Sequence, residues 1–306
     1  MKGKYLNWGI LALLALIWGS SFILMKWGLR SFTWDEVAAY RIFIAFVFVL
    51  PFAHLHLKKE LLPHWKGFLG MGMFGNFIPA FLFTRAETSI SSALTGMLNS
   101  LTPLFTLALG VLFFSAKTKW LNVAGILIAF SGAIALVYAG DTSDIGKNFS
   151  FGGFVFAATV FYGLSVNIIK RYLDNVNPVT ATVWAMCFIG PLAGIYLFTQ
   201  TDFIEHIRTQ KEAWISLTAT SVLGIVGTSL SVMIFNVLIR NTTALFASSV
   251  TYMIPIVAIA WGLGAGEPFF FLHAVGIVLI LSGVYLVNKK VSDKGSATNI
   301  NSPDSR

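Results

Sequence analysis

Residues 5–25 read YLNWGILALLALIWGSSFILM, a stretch without one charged side chain. At about 1.5 Å per residue a helix of that length reaches about 30 Å, the thickness of a bilayer's hydrocarbon core. The basic start Met1-Lys2-Gly3-Lys4 before it resembles a secretory signal, but the apolar run is longer than a signal core and no small-x-small cleavage site follows. It is expected to stay as a first membrane helix. Further charge-free runs cover 42–57, 67–84, 88–116, 120–140, 148–169, 175–201, 213–239, 241–266 and 268–288. None alternates in the two-residue period of a barrel strand. The second is the weakest, with Arg41 at its start and His54 and His56 at its end. The expected fold is an all-α integral membrane protein with ten transmembrane helices.

The whole chain agrees with that stretch. Of 306 residues, 56% are hydrophobic and 11% charged, with a mean hydropathy of +0.77. A soluble domain carries about 25% charged residues. The net charge of +8 is scattered in ones and twos between apolar runs, without the basic stripe of a nucleic-acid binder. Cys187 is the one cysteine, so an internal disulfide and a cysteine metal cluster are excluded. Lys and Arg divide about fourteen to six between alternate loops. Lys2, Lys4, Lys58, Lys59, Lys66, Lys117, Lys119 and the residues after Lys289 lie on the richer side, which places both termini in the cytoplasm.

The first run also contains a motif that returns. Trp18-Gly19-Ser20-Ser21 with Lys26 recurs as Tyr162-Gly163-Leu164-Ser165 with Lys170. Trp65 and Gly75 align with Trp214 and Gly224, Asn99 to Pro103 with Thr251 to Pro255, and Ser131-Gly132 with Ser282-Gly283. A unit of five crossings starts its second copy from the opposite membrane face, so the halves are expected to be inverted five-helix repeats, an architecture of secondary transporters. The expected division is 1–140, an outer linker 141–147, a second repeat 148–288 and a disordered cytoplasmic tail 289–306.

These residues resemble the EamA-type family of the drug/metabolite transporter superfamily. Leu13 to Phe22 with Lys26 is similar to the family's opening Trp-Gly signature, and Arg41 to an arginine typical of its second helix. Thr251 to Val257, Gly266-Glu267 and Gly276 to Leu286 resemble its ninth and tenth helices. Three positions depart from the pattern: Ser115 aligns with Glu267, Tyr162-Gly163 stands for Trp-Gly, and Ile254 precedes Pro255 where relatives often have an acid. The resemblance implies a ten-helix carrier, often one that exports amino acids, metabolites or toxic analogues.

Polar groups in hydrocarbon usually face a cavity or a neighbouring helix. Trp18, Asn76, Asn99, Tyr162 and Tyr252 are expected near mid-depth, with Ser21 and Asn167 within a few turns, as a pathway for a small amphipathic solute. The alternative for each is plain helix packing. Arg41 reads first as an arginine reaching for the interface or a neighbouring acid, and second as the partner of a substrate carboxylate. Lys26 and Lys170 read as end anchors or gating groups. Arg85 and Glu87 are expected in an outer loop, and Pro79, Pro103, Pro191 and Pro255 as kinks. No protease, hydrolase or Walker motif is present, and no cofactor or metal is implied. The expected function is secondary transport of a small organic metabolite, with export favoured, at the inner or plasma membrane. A non-transporting scaffold or sensor, or a nucleotide-sugar carrier, are the alternatives. A homodimer is allowed but not required, because one bundle already holds both repeats.

Overall fold

In a computed structural model the described residues are 2–53, 61–115, 120–139 and 145–288, and they form helices and turns without a strand. Residues 141–144 of the expected linker, the tail 289–306, His54, His56 and the loop lysines at 58, 59, 117 and 119 lie outside the described residues. The helices are α1 (Lys2–Gly28), α2 (Trp34–Ala53), α3 (Leu61–Gly72), α4 (Ile78–Glu87), α5 (Ser92–Leu98), α6 (Thr102–Phe114), α7 (Trp120–Ala139) and α8 (Ile145–Tyr172). They continue as α9 (Pro178–Gln200), α10 (Phe203–Thr209), α11 (Ala213–Gly224), α12 (Ser231–Asn241), α13 (Ala244–Ser248), α14 (Ile254–Gly264) and α15 (Phe271–Asn288). Among the described residues, 8 helical spans are long and apolar enough to cross a membrane, and Trp120–Leu136 and Phe271–Gly283 are shorter apolar helices. The chain is a multi-pass membrane protein. Leu112, Phe113, Trp120, Ile195 and Phe271 are exposed on its outside, a surface suited to lipid rather than water.

Four spans are interrupted. Single π-helical turns, Met73–Phe77 and Ile225–Leu230, join α3 to α4 and α11 to α12. A π turn holds an extra residue and disturbs the carbonyl ladder. Side chains supply donors there: Asn76 Nδ2 donates to the Met71 carbonyl (3.4 Å), Thr228 Oγ1 to Leu223 (3.2 Å) and Ser231 Oγ to Val226 (2.9 Å). The other two breaks are 3-10 turns, Asn99–Leu101 before α6 and Ser249–Tyr252 before α14. Each lies just ahead of a proline, which has no N–H to offer the carbonyl four residues back. Thr102 Oγ1 donates to Asn99 O at 2.8 Å, and Ser100 Oγ, from the opposite break, donates to Thr251 O at 3.1 Å. Pro79, Pro103 and Pro255 thus sit where helix type changes, whereas Pro191 lies inside the unbroken α9.

Glycines set the close approaches. A Cβ on Gly132 would stand 2.7 Å from Gly276 O, and one on Gly283 would strike Gly125 O, so α7 and α15 pack nearly backbone to backbone. Gly190 and Gly194 of α9 seat the rings of Phe46 and Phe43 from α2. Some contacts come in matched pairs. Gly72 faces Ala185 O and Gly224 faces Arg41 O; Gly75 faces Ser165 and Gly227 faces Ser21. By these contacts Gly75 matches Gly227 and Gly72 matches Gly224, a pairing that differs by three residues from the one read through Trp65 and Trp214.

Candidate functional site

The interrupted helices meet around a cavity of about 100 Å³. At about 10–15 Å³ per water it holds roughly seven to ten waters, or about 200–300 Å³ of solute. Helix α1 supplies Trp18, Ser21, Phe22 and Met25, the first π turn Gly75 and Asn76, and the first 3-10 turn Asn99. Tyr162 and Ser165 come from α8, Gly227 and Thr228 from the second π turn, and Thr251 from the second 3-10 turn. The irregular turns thus bring small and hydroxyl-bearing residues to the cavity wall.

Five residues of the expected pathway meet here: Trp18, Ser21, Asn76, Asn99 and Tyr162. Trp18 Nε1 donates to Gly227 O (3.0 Å) and is also within reach of Ser231 Oγ (3.1 Å), which ties α1 to the second π turn. Tyr162 stacks on Phe83 with centroids 5.5 Å apart. Asn167 and Tyr252 are not brought to the wall. Asn167 Nδ2 donates to Thr106 O and Gly163 O, both at 2.8 Å, and so binds α8 to α6. Tyr252 packs on the apolar cluster that includes Ile254 and Ala258. Ser165, Thr102, Thr228, Ser248 and Thr251 line the cavity without having been singled out. A signal existed for Ser165, which ends the recurring motif that begins at Tyr162.

Arg41 also lines the cavity, 9% exposed. Its Nη1 lies 3.6 Å from Met25 Sδ and its Nη2 donates to Thr228 Oγ1 at 3.2 Å, while its buried Nε has no hydrogen-bond partner. Lys26 and Lys170 are outside the lining. Lys26 Nζ donates to the carbonyl of Glu87 (2.7 Å) at the end of α4. Lys170 Nζ donates to the carbonyl of Ile239 (3.2 Å) near the end of α12 and pairs with Asp174 (2.7 Å).

Arg85 and Glu87 are not in a loop. Both belong to the last turn of α4, where Arg85 lies over Trp34 at 5.1 Å from the ring centroid and Phe151 at 5.9 Å. Glu87 is 1% exposed, with neither carboxyl oxygen hydrogen-bonded. Lys26, bonded to its carbonyl, lies beside it, and α4 runs as far as this acid, which composition alone would assign to water.

A second acid ties two spans together. Glu267, after α14, accepts from Ser92 N (2.9 Å) and Ser92 Oγ (2.7 Å) through Oε1, and from Ala93 N (3.0 Å) through Oε2. Ser91 Oγ accepts from Leu94 N, and Thr95 N reaches Ser91 O. The otherwise unpaired N–H groups of Ser92, Ala93 and Leu94 at the start of α5 are thereby satisfied, and the Thr95 bond begins the regular ladder. Ser115, which aligns with Glu267, instead caps the end of α6 in the left-handed region at φ 57°.

The sequence model of the EamA-like transporter family matches residues 7–138 and 152–289. The chain belongs to the EamA-like transporter family. An uncharacterized transporter of Archaeoglobus fulgidus is 27% identical over 93% of this chain and 99% of its own length. A probable amino-acid metabolite efflux pump of Salmonella typhimurium is 25% identical over 91% of this chain and 93% of its own. The uncharacterized inner membrane transporter YedA of Escherichia coli K12 is 27% identical over 84% and 82%. A solved crystal structure with 14% identity aligns at TM-score 0.64 over 91% of this chain and 95% of that one, a likeness of fold alone. The match bears out the resemblance to the EamA-type family.

Proposed function

We propose that this EamA-family chain is a secondary carrier of small organic metabolites, with ten crossings in two inverted five-helix halves and a central cavity that opens alternately to either face. The observation that carries the reading is the cavity itself, walled by matched irregular turns from both halves. Four pairs of interactions support the inverted relation: Gly72 with Ala185 and Gly224 with Arg41, Gly75 with Ser165 and Gly227 with Ser21, Asn76 with Met71 and Thr228 with Leu223, and Lys26 with Glu87 and Lys170 with Ile239. In each case the partners differ by one constant offset for the same helix. Inverted halves can exchange conformations, which moves the opening from one side to the other without moving the site.

Export of an amino acid or a related compound is the favoured direction and class, supported by the efflux pump of Salmonella typhimurium among the relatives. Both termini are assigned to the cytoplasm on the distribution of basic residues. Trp18, Ser21, Asn76, Asn99 and Tyr162 form the pathway, while Asn167 and Tyr252 support it from behind. The test is counterflow in liposomes containing the purified protein, over a panel of amino acids and their derivatives. Accelerated exchange of a labelled solute only when the same solute is loaded inside supports a carrier. Co-purification with a fixed partner and no exchange across the panel rejects it.

A further inference from the structure

Building on the carrier reading, we infer that Arg41 is the anion anchor of the cavity, and that the solute is a small organic carboxylate with an apolar or aromatic body. A buried guanidinium normally has a carboxylate against it, because removing the charge from water without compensation is costly. Arg41 has none: among the described residues no Asp or Glu oxygen forms an ion pair with it. Glu87 acts on it electrostatically without an ion-pair contact and is not part of the cavity wall. Its remaining neighbours are a thioether and a hydroxyl, both weak partners for a cation, and Nε is left with an unused N–H. A planar guanidinium without an ion-pair partner, fixed at the wall of a cavity of solute size, suits one planar carboxylate.

The remainder of the wall defines the rest of the solute. Trp18, Phe22, Phe83 and Tyr162 offer aromatic faces, and Asn76 and Asn99 offer amides. No acidic side chain lines the cavity among the described residues, so an ammonium group on the solute would meet only neutral acceptors and ring faces. Within the class of amino acids and related compounds, a carboxylate without a free ammonium is therefore favoured over both the zwitterion and a cation of the same size.

Equilibrium dialysis of the full-length protein in detergent tests this with phenylacetate, phenylacetamide, L-phenylalanine and phenethylamine as probes. Loss of a charge-assisted pair in a buried site corresponds to roughly 10- to 100-fold in affinity. Phenylacetate is expected to bind at least about tenfold more tightly than phenylacetamide, and Arg41→Gln to reduce that ratio to within about twofold. Arg41→Lys should keep part of the preference as a point charge. Equal or better binding of the amide, no binding of phenylacetate at millimolar concentration, or a preference that survives Arg41→Gln each overturns the anchor. The wild-type comparison needs no variant, and Gly153→Ala, away from the cavity wall and with open space around the added Cβ, provides a folded control expected to keep the preference. Counterflow separates the two readings. Exchange of solutes without a carboxylate preference removes the anchor and leaves the carrier, whereas carboxylate binding with no exchange of any solute removes the carrier and leaves the site.

Discussion

Replacing Glu267 by Ala takes away the acceptor of two backbone N–H groups and one hydroxyl at the start of α5. A hydrogen bond to a charged acceptor contributes about 1.5–3 kcal/mol in a buried site. Glu267 is only half-buried, so water takes over part of the lost bonding, and a net loss of about 2–3 kcal/mol is the reasonable scale. α14 and α5 are held together at this one end, where Lys26 also caps α4 and Trp261 Nε1 donates to Ser20 Oγ at 2.8 Å. If parting these ends opens the cavity, the open fraction should rise roughly 30- to 150-fold. The assay is labelling of Ser21→Cys by a membrane-impermeant maleimide in a Cys187→Ala background. Ser21 is 7% exposed on the cavity wall, so its labelling rate reports the open fraction. The rate should rise by that factor when reagent is added on the side of Glu267, and not from the opposite side. A lowered melting temperature with unchanged labelling would refute the gate and reduce Glu267 to a helix cap.

The remaining predictions concern packing. Gly163→Val would set a Cβ 2.7 Å from the backbone of Phe105 and Thr106, which cannot move aside as a side chain could. Monodisperse protein should be lost in detergent gel filtration, whereas Gly153→Ala, with nothing within 4 Å, should be silent. Asn167→Leu should lower the melting temperature by an amount that corresponds to about 1–2 kcal/mol while leaving the order of preference among solutes unchanged; an altered order would put Asn167 in the pathway after all.

What could be read from the chain follows from what a bilayer demands. The run 88–116 became the span Ser92–Phe114, and 213–239 the span Ala213–Asn241, because charges are excluded from hydrocarbon and mark span ends. That same rule misled at Glu87, where charge at a run's end stands for a buried carboxyl at the end of α4, with Lys26 beside it, rather than a loop. Trp18, Asn76 and Tyr162 stood out as polar or amphipathic groups in apolar runs. Asn167 gives the same signal, yet its amide serves two carbonyls of the helix packing, and only the distances distinguish the cases. The π turns carry no compositional mark, since one extra residue in a turn leaves hydropathy unaltered. Thr228, the partner of Arg41 in the second of these turns, therefore carried no mark of its own.

Those two turns amount to stored slack. The extra residue in Met73–Phe77 rotates everything beyond it by about 100° relative to an unbroken helix. Sliding that surplus one turn along α4, past Pro79, would exchange a few hydrogen bonds and swing Asn76 away from the wall, with Thr228 following the same course in its own helix. The cavity could then change its lining by a wave passing along a helix instead of by tilting a rigid rod. Deleting Gly75 would remove the slack from one half: solute binding retained with exchange lost would reveal that the surplus residue is a moving part, while unimpaired exchange would show it to be a fixed dent.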